Sequence, residues 1–389
     1  MRDLGPEELL FTDRTGARAD LQDVIYDGLD VDYRDRYPAL LHLLNGGAPA
    51  HRLYACAMLA SWGVPDALRT IAQWASDPAA TPWADAPVTF ERFGGADAAF
   101  ELLTHAVGTA VDALGRDATV DALRAEAIRA ILGAYDRVFV GRAVATVLDL
   151  DPALAARVRD QVGPAVERAL EALRGAPAFD LRTQTASLIG ALAAIDDDHA
   201  ASAAEALLVQ VGRWTPAVNE VASTLDHGTG PATFAVLERL AEHRTPSVRA
   251  LARESLGRRR AAIVANLAER MCAARTTSEA DLLDALGVTL DAPPLGGTAA
   301  RVRGGDIPTF EVDVPDGTLT RADLDARLGE PRRLPQTGAY ASILLWYGVS
   351  VPDAAHACSV FARFEEEPRP VSPVASVLLR LDPARPVRT

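Results

Sequence analysis

The chain has 389 residues, of which 49% are hydrophobic and 24% are charged, a balance typical of a soluble protein with two or three domains and one that excludes wholesale disorder. All 39 basic residues are arginines, and the 53 acidic residues leave a net charge of −14. So acidic a chain is not expected to be a general DNA or RNA binder, because such proteins need a cationic surface.

The cysteine spacing and the amino-terminal residues indicate the expected cellular compartment of the protein. The three cysteines, at positions 56, 272 and 358, are too far apart for a disulfide framework or a thiolate zinc site. The first eight residues lack the basic-then-apolar order of a signal peptide. No stretch of about 20 residues is free enough of charge to span a bilayer. We therefore expect a cytoplasmic protein.

Residues 1–36 are predicted to form an acidic segment or cap ahead of the helical region. Six aspartates lie between residues 20 and 35, with tyrosines among and beside them. Complementary charge speeds association and rejects wrong partners, so this composition favours a surface for a basic protein partner. The alternative is a solvated cap on the first repeat, since terminal repeats need a polar outer face. The predicted binding residues here are Asp27, Asp30, Asp32, Tyr33 and Asp35.

Residues 37–290 are predicted to be almost entirely helical. Apolar residues recur three and four positions apart, and glycine and proline interrupt the pattern at short intervals. Helices of about 10–20 residues result, and they come in pairs every 30–45 residues, which is typical of two-helix repeats.

The clearest repeat extends from Pro231 to Arg260. Its second helix is predicted to begin at Pro246, to place Val248, Ala252 and Leu256 four residues apart, and to end at Gly257. That helix resembles the second helix of a HEAT-like (armadillo-type) repeat, whereas the rest of the region matches by periodicity alone. The resemblance implies a HEAT-like α-solenoid over residues 37–290. Armadillo and tetratricopeptide stacks stay open as alternatives.

A proline-rich stretch from Asp77 to Gly95 interrupts the helices. Loops longer than about 12–15 residues in a compact domain are usually functional or disordered. Trp83, Phe90 and Phe93 in this loop are predicted binding residues, because aromatic side chains dominate interface hot spots. The alternative is that they fold back over the helices as a hydrophobic plug.

Catalytic patterns are weak throughout the chain. Residues 196–199 read Asp-Asp-Asp-His, which we interpret as a turn that caps a helix. Glu101 and His105 stand four residues apart, where an acid/base pair or ordinary helix-surface residues are both possible. The arginines at 244–260 are compatible with phosphate contacts. The alternative is that they form ion pairs with nearby glutamates. We expect no cofactor and no metal, and no catalytic residue is assigned.

The composition changes at residues 291–300, which we predict to be a linker. Residues 301–389 are then predicted to be a small α+β domain of order β-α-β-β-β. This carboxyl-terminal region resembles a small domain common in actinobacterial proteins, and the resemblance implies no activity. Its predicted strands are Ile307–Val314, Ala341–Val351, Ala357–Phe364 and Val374–Leu381, with one helix between Thr320 and Gly329.

The leading functional hypothesis is a non-enzymatic solenoid that holds a basic protein partner, as an immunity-type or regulatory protein does. One alternative is an enzyme on helical repeats: alkylpurine DNA glycosylases use a HEAT-like solenoid with Trp, Asp and Arg, which Trp214, Asp226 and the 244–260 arginines resemble in type. The other alternative is a scaffold that docks through its carboxyl-terminal domain.

Overall fold

The computed structural model describes residues 4–85, 97–212, 214–274, 278–290, 295, 300–305, 307–315, 318–333, 342–349, 356–365 and 368–383. In these ranges the chain is mainly helical and ends in a small antiparallel sheet, as the sequence predicted in outline. It divides into two compact units, Met1–Val236 and Leu237–Thr389.

The first unit is made of helices. They are α1 (Pro6–Phe11), α2 (Leu21–Asp30), α3 (Tyr37–Gly46), α4 (Pro49–Ser61), α5 (Pro65–Ser76), α6 (Ala99–Thr109), α7 (Ala118–Gly133), α8 (Ala143–Leu150), α9 (Pro152–Ala172), α10 (Leu181–Ala193), α11 (Asp197–Val211), α12 (Thr215–Thr224) and α13 (Pro231–Ala241), within which the boundary between the units falls.

Local sequence explains where many of these helices begin. Side chains of Asp117, Asp151, Asp180 and Asp196 accept hydrogen bonds from the first free backbone N–H groups of α7, α9, α10 and α11. Helices α3, α4, α5, α9 and α12 have proline in the first turn, where its missing N–H has no partner to lose. The four capping aspartates therefore have a structural role.

From α4 to α10, each helix packs against the helix two places later in the chain. Helices α4, α6, α8, α10 and α12 form one row by these contacts, and α5, α7, α9 and α11 form a second row. Helices that are adjacent in sequence, such as α10 and α11, pack against each other and so join the two rows. The ends of α10 and α12 lie beside each other in the first row.

Gly190 marks a close approach of two helices within the first row. A Cβ at this position of α10 would lie 2.4 Å from the Cβ of Thr224, at the end of α12. We expect Gly190→Ala to lower the free energy of unfolding by about 2 kcal/mol, because the two helices must move apart. Urea unfolding followed by circular dichroism measures this change.

Gly133→Ala is the matched control for that substitution. Gly133 ends α7, and a Cβ there meets no atom within 4 Å. Alanine at this position should leave stability unchanged or raise it by up to about 1 kcal/mol. Equal effects of the two substitutions would show that helix propensity, and not the approach of α10 to α12, decides the result.

The second unit combines helices with a sheet. Its elements after α13 are α14 (Pro246–Ala274), α15 (Glu279–Leu286), β1 (Ala300–Arg303), β2 (Thr309–Asp313), α16 (Arg321–Leu328), β3 (Arg332–Arg333), β4 (Ser342–Val349), β5 (His356–Phe364) and β6 (Ser376–Pro383). The four strands expected from the sequence are β2, β4, β5 and β6. The described order is β-β-α-β-β-β-β, with the short strands β1 and β3 added to the prediction.

All strand pairs in this sheet are antiparallel, in the spatial order β1-β2-β6-β5-β4-β3. Val360 of β5 pairs with Trp346 on one side and with Leu379 on the other. These three side chains belong to the buried core of the unit. One face of β5 therefore packs into this core.

Helix α14 covers the sheet, so the boundary between the two units lies before this helix and not at the predicted linker. It packs on β4, β5 and β6, and Val264, Ala268 and Met271 share one core with the strands. Leu295, from the predicted linker, is buried in the same core. The division at residue 236 therefore differs from the expected domains 37–290 and 301–389.

Gly257 does not end this helix as expected, since α14 runs on to Ala274. A Cβ on Gly257 would lie 2.5 Å from the Oδ2 of Asp323, which is bonded to Thr320 in the capping box of α16. Glycine here allows α16 to approach α14. The predicted helix between Thr320 and Gly329 is confirmed.

The division concentrates the charge of the protein in one unit. Residues 1–236 contain 19 arginines and 33 acidic residues, whereas residues 237–389 contain 20 of each. The whole net charge of −14 is therefore carried by the first unit.

Candidate functional site

Tyr33, a predicted binding residue, is a core residue of the first unit. Its side chain is 1% exposed, and its ring lies 5.2 Å from the ring of Trp62 at the end of α4. The hydroxyl donates a short hydrogen bond to Asp27, and burial together with that bond raises the Tyr33 pKa. The guanidinium of Arg36 lies 4.6 Å from the centre of the Tyr33 ring. Tyr33 therefore holds the acidic segment against the helices.

The aspartates predicted beside Tyr33 differ in how far they are engaged within the segment. Asp27 accepts the bond from Tyr33 and another from the backbone of Arg14, 3.3 Å away. Asp35 lies 2.7 Å from the guanidinium of Arg14, and Asp32 accepts a 2.9 Å bond from the backbone N–H of Arg34. Asp30, at the end of α2, is exposed.

Helix α2 presents an acidic outer face around one aromatic ring. Val24, Ile25 and Gly28 are buried on its inner side. Asp23, Tyr26 and Asp30 are exposed, and their spacing of three and four residues places them on one face. Tyr26 is 52% exposed. This face combines a flat ring with two carboxylates in solvent.

Trp83, predicted as a binding residue of the loop, also lies in the core. It is 1% exposed, and its ring lies 4.9 Å from that of Trp74 and 6.1 Å from that of Phe100. Phe90 and Phe93 lie outside the described residues. The described end of the loop thus shows Trp83 packed over the helices.

A buried glutamine organises the turn between α7 and α8. The Gln184 Oε1 accepts bonds from the backbone N–H groups of Val140 and Gly141, at 2.8 and 3.0 Å. Its Nε2 donates to the carbonyls of Tyr135 and Val138, at 2.8 and 3.1 Å. Gln184 is 2% exposed. One side chain of α10 therefore satisfies four backbone groups of a neighbouring turn.

Glu101 of α6 faces this turn without a hydrogen-bond partner for one oxygen. Its Oε2 is buried and unpaired among the described residues, and burial raises its pKa to about 7. Gly141, with φ of 51°, allows the approach, because a Cβ there would lie 2.6 Å from the Glu101 Oε1. The next turn of α6 carries His105, whose pKa is lowered by burial.

The edge formed by the first turns of α10 and α12 carries an exposed aromatic ring. Trp214, which precedes α12, is 45% exposed, and the guanidinium of Arg182 in α10 lies 5.9 Å from its ring centre. Arg142, which immediately precedes α8, pairs with the buried Glu220 of α12 at 2.6 Å. Sequence analysis picked out Trp214 but not Arg182 or Glu220.

Trp214 and Asp226, which resemble glycosylase residues in type, lie at opposite ends of α12. Trp214 precedes α12 and Asp226 follows it, so the ten residues of the helix separate them by about 15 Å. In the second unit, Arg258 pairs with Glu254 at 2.7 Å, and the buried Arg260 lies 3.4 Å from Glu238. These arginine contacts agree with the ion-pair interpretation.

The acidic run at residues 196–199 caps helices, as interpreted from the sequence. Asp196 accepts a bond from the backbone of His199. Asp197 accepts bonds from the backbone N–H groups of Gly230, Ala232 and Thr233, at 3.0, 2.9 and 3.2 Å. Both side chains therefore serve helix beginnings, those of α11 and α13.

A groove lies beside the last turns of α8 and α10. Its volume is about 390 Å³, and its floor includes Leu148, Ala191 and Ile195. His227 at the rim lies 3.9 Å from the carboxylate of Asp149, and both are exposed to solvent. No motif in the sequence indicated this groove, because its lining comes from four separated segments.

Neither a metal site nor a membrane span is found among the described residues. In the ranges that the structure describes, no three His, Cys, Asp or Glu side chains are grouped so as to hold a metal ion. None of the described helices has the length and apolar character needed to cross a bilayer. Comparison with protein-family models, curated proteins and solved structures finds no match.

Proposed function

We propose that the protein is a non-enzymatic binding protein whose first unit, a HEAT-like α-solenoid, holds a basic protein partner. The observation that carries this proposal is the charge distribution: the first unit carries the whole net charge of −14 and the second unit none. A field of one sign over one unit attracts a partner of the opposite sign and raises the rate of association.

The solenoid part of the proposal rests on how the helices pack. Two rows, in which each helix contacts the helix two places later, are what stacked helix pairs produce. The helices α10 and α12, with Gly190 at a close approach between them, behave as equivalent members of successive pairs. Such stacks offer extended surfaces that suit binding to another protein.

The outer face of α2 is the contact surface that we propose for this partner. Asp30 was a predicted binding residue, and Asp23 and Tyr26 join it on the same face. Tyrosine supplies a large contact area with little loss of conformational entropy, and two flanking carboxylates pair with arginine or lysine. Asp27, Asp32, Tyr33 and Asp35 support this face from within the segment.

Affinity capture from the lysate of the organism that encodes the chain tests the proposal. The immobilised full chain is washed at stepped salt, and bound proteins are quantified by mass spectrometry. We expect a basic protein that is released by moderate salt, because screening weakens exposed charge pairs. The triple variant Asp23→Asn, Tyr26→Ala, Asp30→Asn should capture at least about tenfold less of it, since loss of one aromatic hot spot alone costs that much.

A double variant of the second unit controls for net charge. Glu269→Gln with Asp284→Asn also removes two exposed carboxylates, but from the neutral unit, and should leave capture unchanged. Equal losses for both variants would reduce the effect to general electrostatics. Recovery of nucleic acid alone, or release of an alkylated base from DNA by the purified chain, would overturn the proposal in favour of an enzyme.

A further inference from the structure

Two cysteines of the second unit are in contact within its core. Cys272 lies in the last turn of α14, which ends at Ala274, and Cys358 lies in β5. Both side chains are fully buried, and the thiol of Cys272 is hydrogen-bonded to Cys358. The Cys358 Sγ also lies 3.9 Å from the Sδ of Met271. Two thiols that are 86 positions apart in the chain therefore meet where α14 packs on the sheet.

The third cysteine, Cys56, shows the effect of burial on a thiol that has no second thiol beside it. Cys56 in α4 is fully buried, and its Sγ lies 3.6 Å from the carbonyl oxygen of Ala67. Burial raises the pKa of the Cys56 thiol. By contrast, the hydrogen bond from Cys358 lowers the pKa of Cys272 in spite of burial. The thiolate is the reactive form, so the two environments predict different chemistry.

We propose that Cys272 and Cys358 are a redox-active thiol pair, which hydrogen peroxide converts into a disulfide that ties α14 to β5. The hydrogen bond between the two thiols places them side by side where α14 packs on β5. Nothing in this inference depends on the partner of the first unit.

The reaction balances with one peroxide as the two-electron oxidant. The Cys272 sulfur attacks one peroxide oxygen, the O–O bond breaks, and the departing hydroxide takes the thiol proton to become water. Cys272 is then a sulfenic acid. The Cys358 sulfur attacks the Cys272 sulfur, the S–O bond breaks, and the second hydroxide leaves as water with the Cys358 proton. Two thiols and one peroxide thus give one disulfide and two waters.

Access to the buried pair is expected through the end of α14. The last turn of a helix opens at a lower free energy than its centre, and Cys272 is two residues from that end. Hydrogen peroxide is a molecule small enough to enter through so local an opening. Once formed, the disulfide closes a chain segment that contains α15, α16 and β1–β4, which restricts the unfolded state.

The experiment exposes the reduced full chain to hydrogen peroxide under native conditions. After quenching, the chain is unfolded and its free thiols are counted by alkylation and mass spectrometry. We expect the count to fall from three to one, and a peptide that contains Cys272 to be linked to one that contains Cys358. The melting temperature of the oxidised protein should rise by about 10 °C and return on reduction.

Two variants separate the pair from a general oxidation. Cys56→Ala should leave the cross-link unchanged. Cys358→Ala should leave Cys272 as a sulfenic acid, which dimedone labels. Retention of three free thiols in the native protein, or oxygen added to Met271 with both thiols intact, overturns the proposal. The count on the unmodified chain decides the matter even where a variant does not fold.

Discussion

Gln184→Met is expected to lower the free energy of unfolding of the first unit by about 4 kcal/mol. Methionine keeps the volume and loses every polar contact, so the carbonyls of Tyr135 and Val138 and two backbone N–H groups lose their partner. Each buried backbone group left without a hydrogen bond costs about 1–3 kcal/mol. Urea unfolding followed by circular dichroism measures the change.

Gln210→Met is the matched control for this experiment. Gln210 lies on α11 in an exposed position, so the same chemical change there should alter the free energy of unfolding by less than about 0.5 kcal/mol. If Gln184→Met costs no more than Gln210→Met, the turn at residues 135–142 is held by its apolar packing alone.

Glu101→Gln is expected to remove a pH dependence from the stability of the first unit. In the folded protein the Glu101 pKa is raised from 4.5 to about 7 by burial. Between these values the folded state binds more protons than the unfolded state, so stability falls as pH rises. Above about pH 7 the ionised, unpaired carboxylate costs about 2–3 kcal/mol, which the neutral glutamine avoids.

The measurement is the urea midpoint of wild type and Glu101→Gln between pH 5 and pH 9. We expect the variant to gain on the wild type as the pH rises and to match it near pH 5. His105→Gln is the control. Burial lowers the His105 pKa below its unfolded value of 6.5, so the wild type loses stability as the pH falls below about 6.5. Removing His105 should therefore change the pH dependence in the opposite direction to Glu101→Gln. A constant difference between Glu101→Gln and wild type across this range would contradict the unpaired carboxylate.

Much of the secondary structure could be predicted from local sequence. Helix beginnings are read directly from prolines in the first turn and from N-cap residues such as Asp196 and Thr320, and the predicted strand Ala357–Phe364 located β5. The boundary at residue 236 could not be predicted, because it depends on the packing of α14 against the sheet. Gly257 resembled a helix end, yet its role is to accommodate Asp323, which is 66 positions away.

The candidate site was harder to predict than the fold. Tyr33 and Trp83 stand in acidic and proline-rich stretches, where aromatic residues look exposed. Both are buried by partners elsewhere in the chain, Trp62 and Trp74. Gln184 and Glu101 carry no motif, because their environment is made by the turn at residues 135–142 and exists only after folding.

The long helix α14 has a practical consequence for dividing the protein. A fragment that ends at residue 290 would carry α14 without its sheet and leave Val264, Ala268 and Met271 facing water. A fragment that begins at residue 291 would lack the helix that covers its strands. Both are expected to aggregate on expression, since each exposes a large apolar patch. The second unit should be expressed with all of α13 and α14, even though this duplicates a few residues of the first.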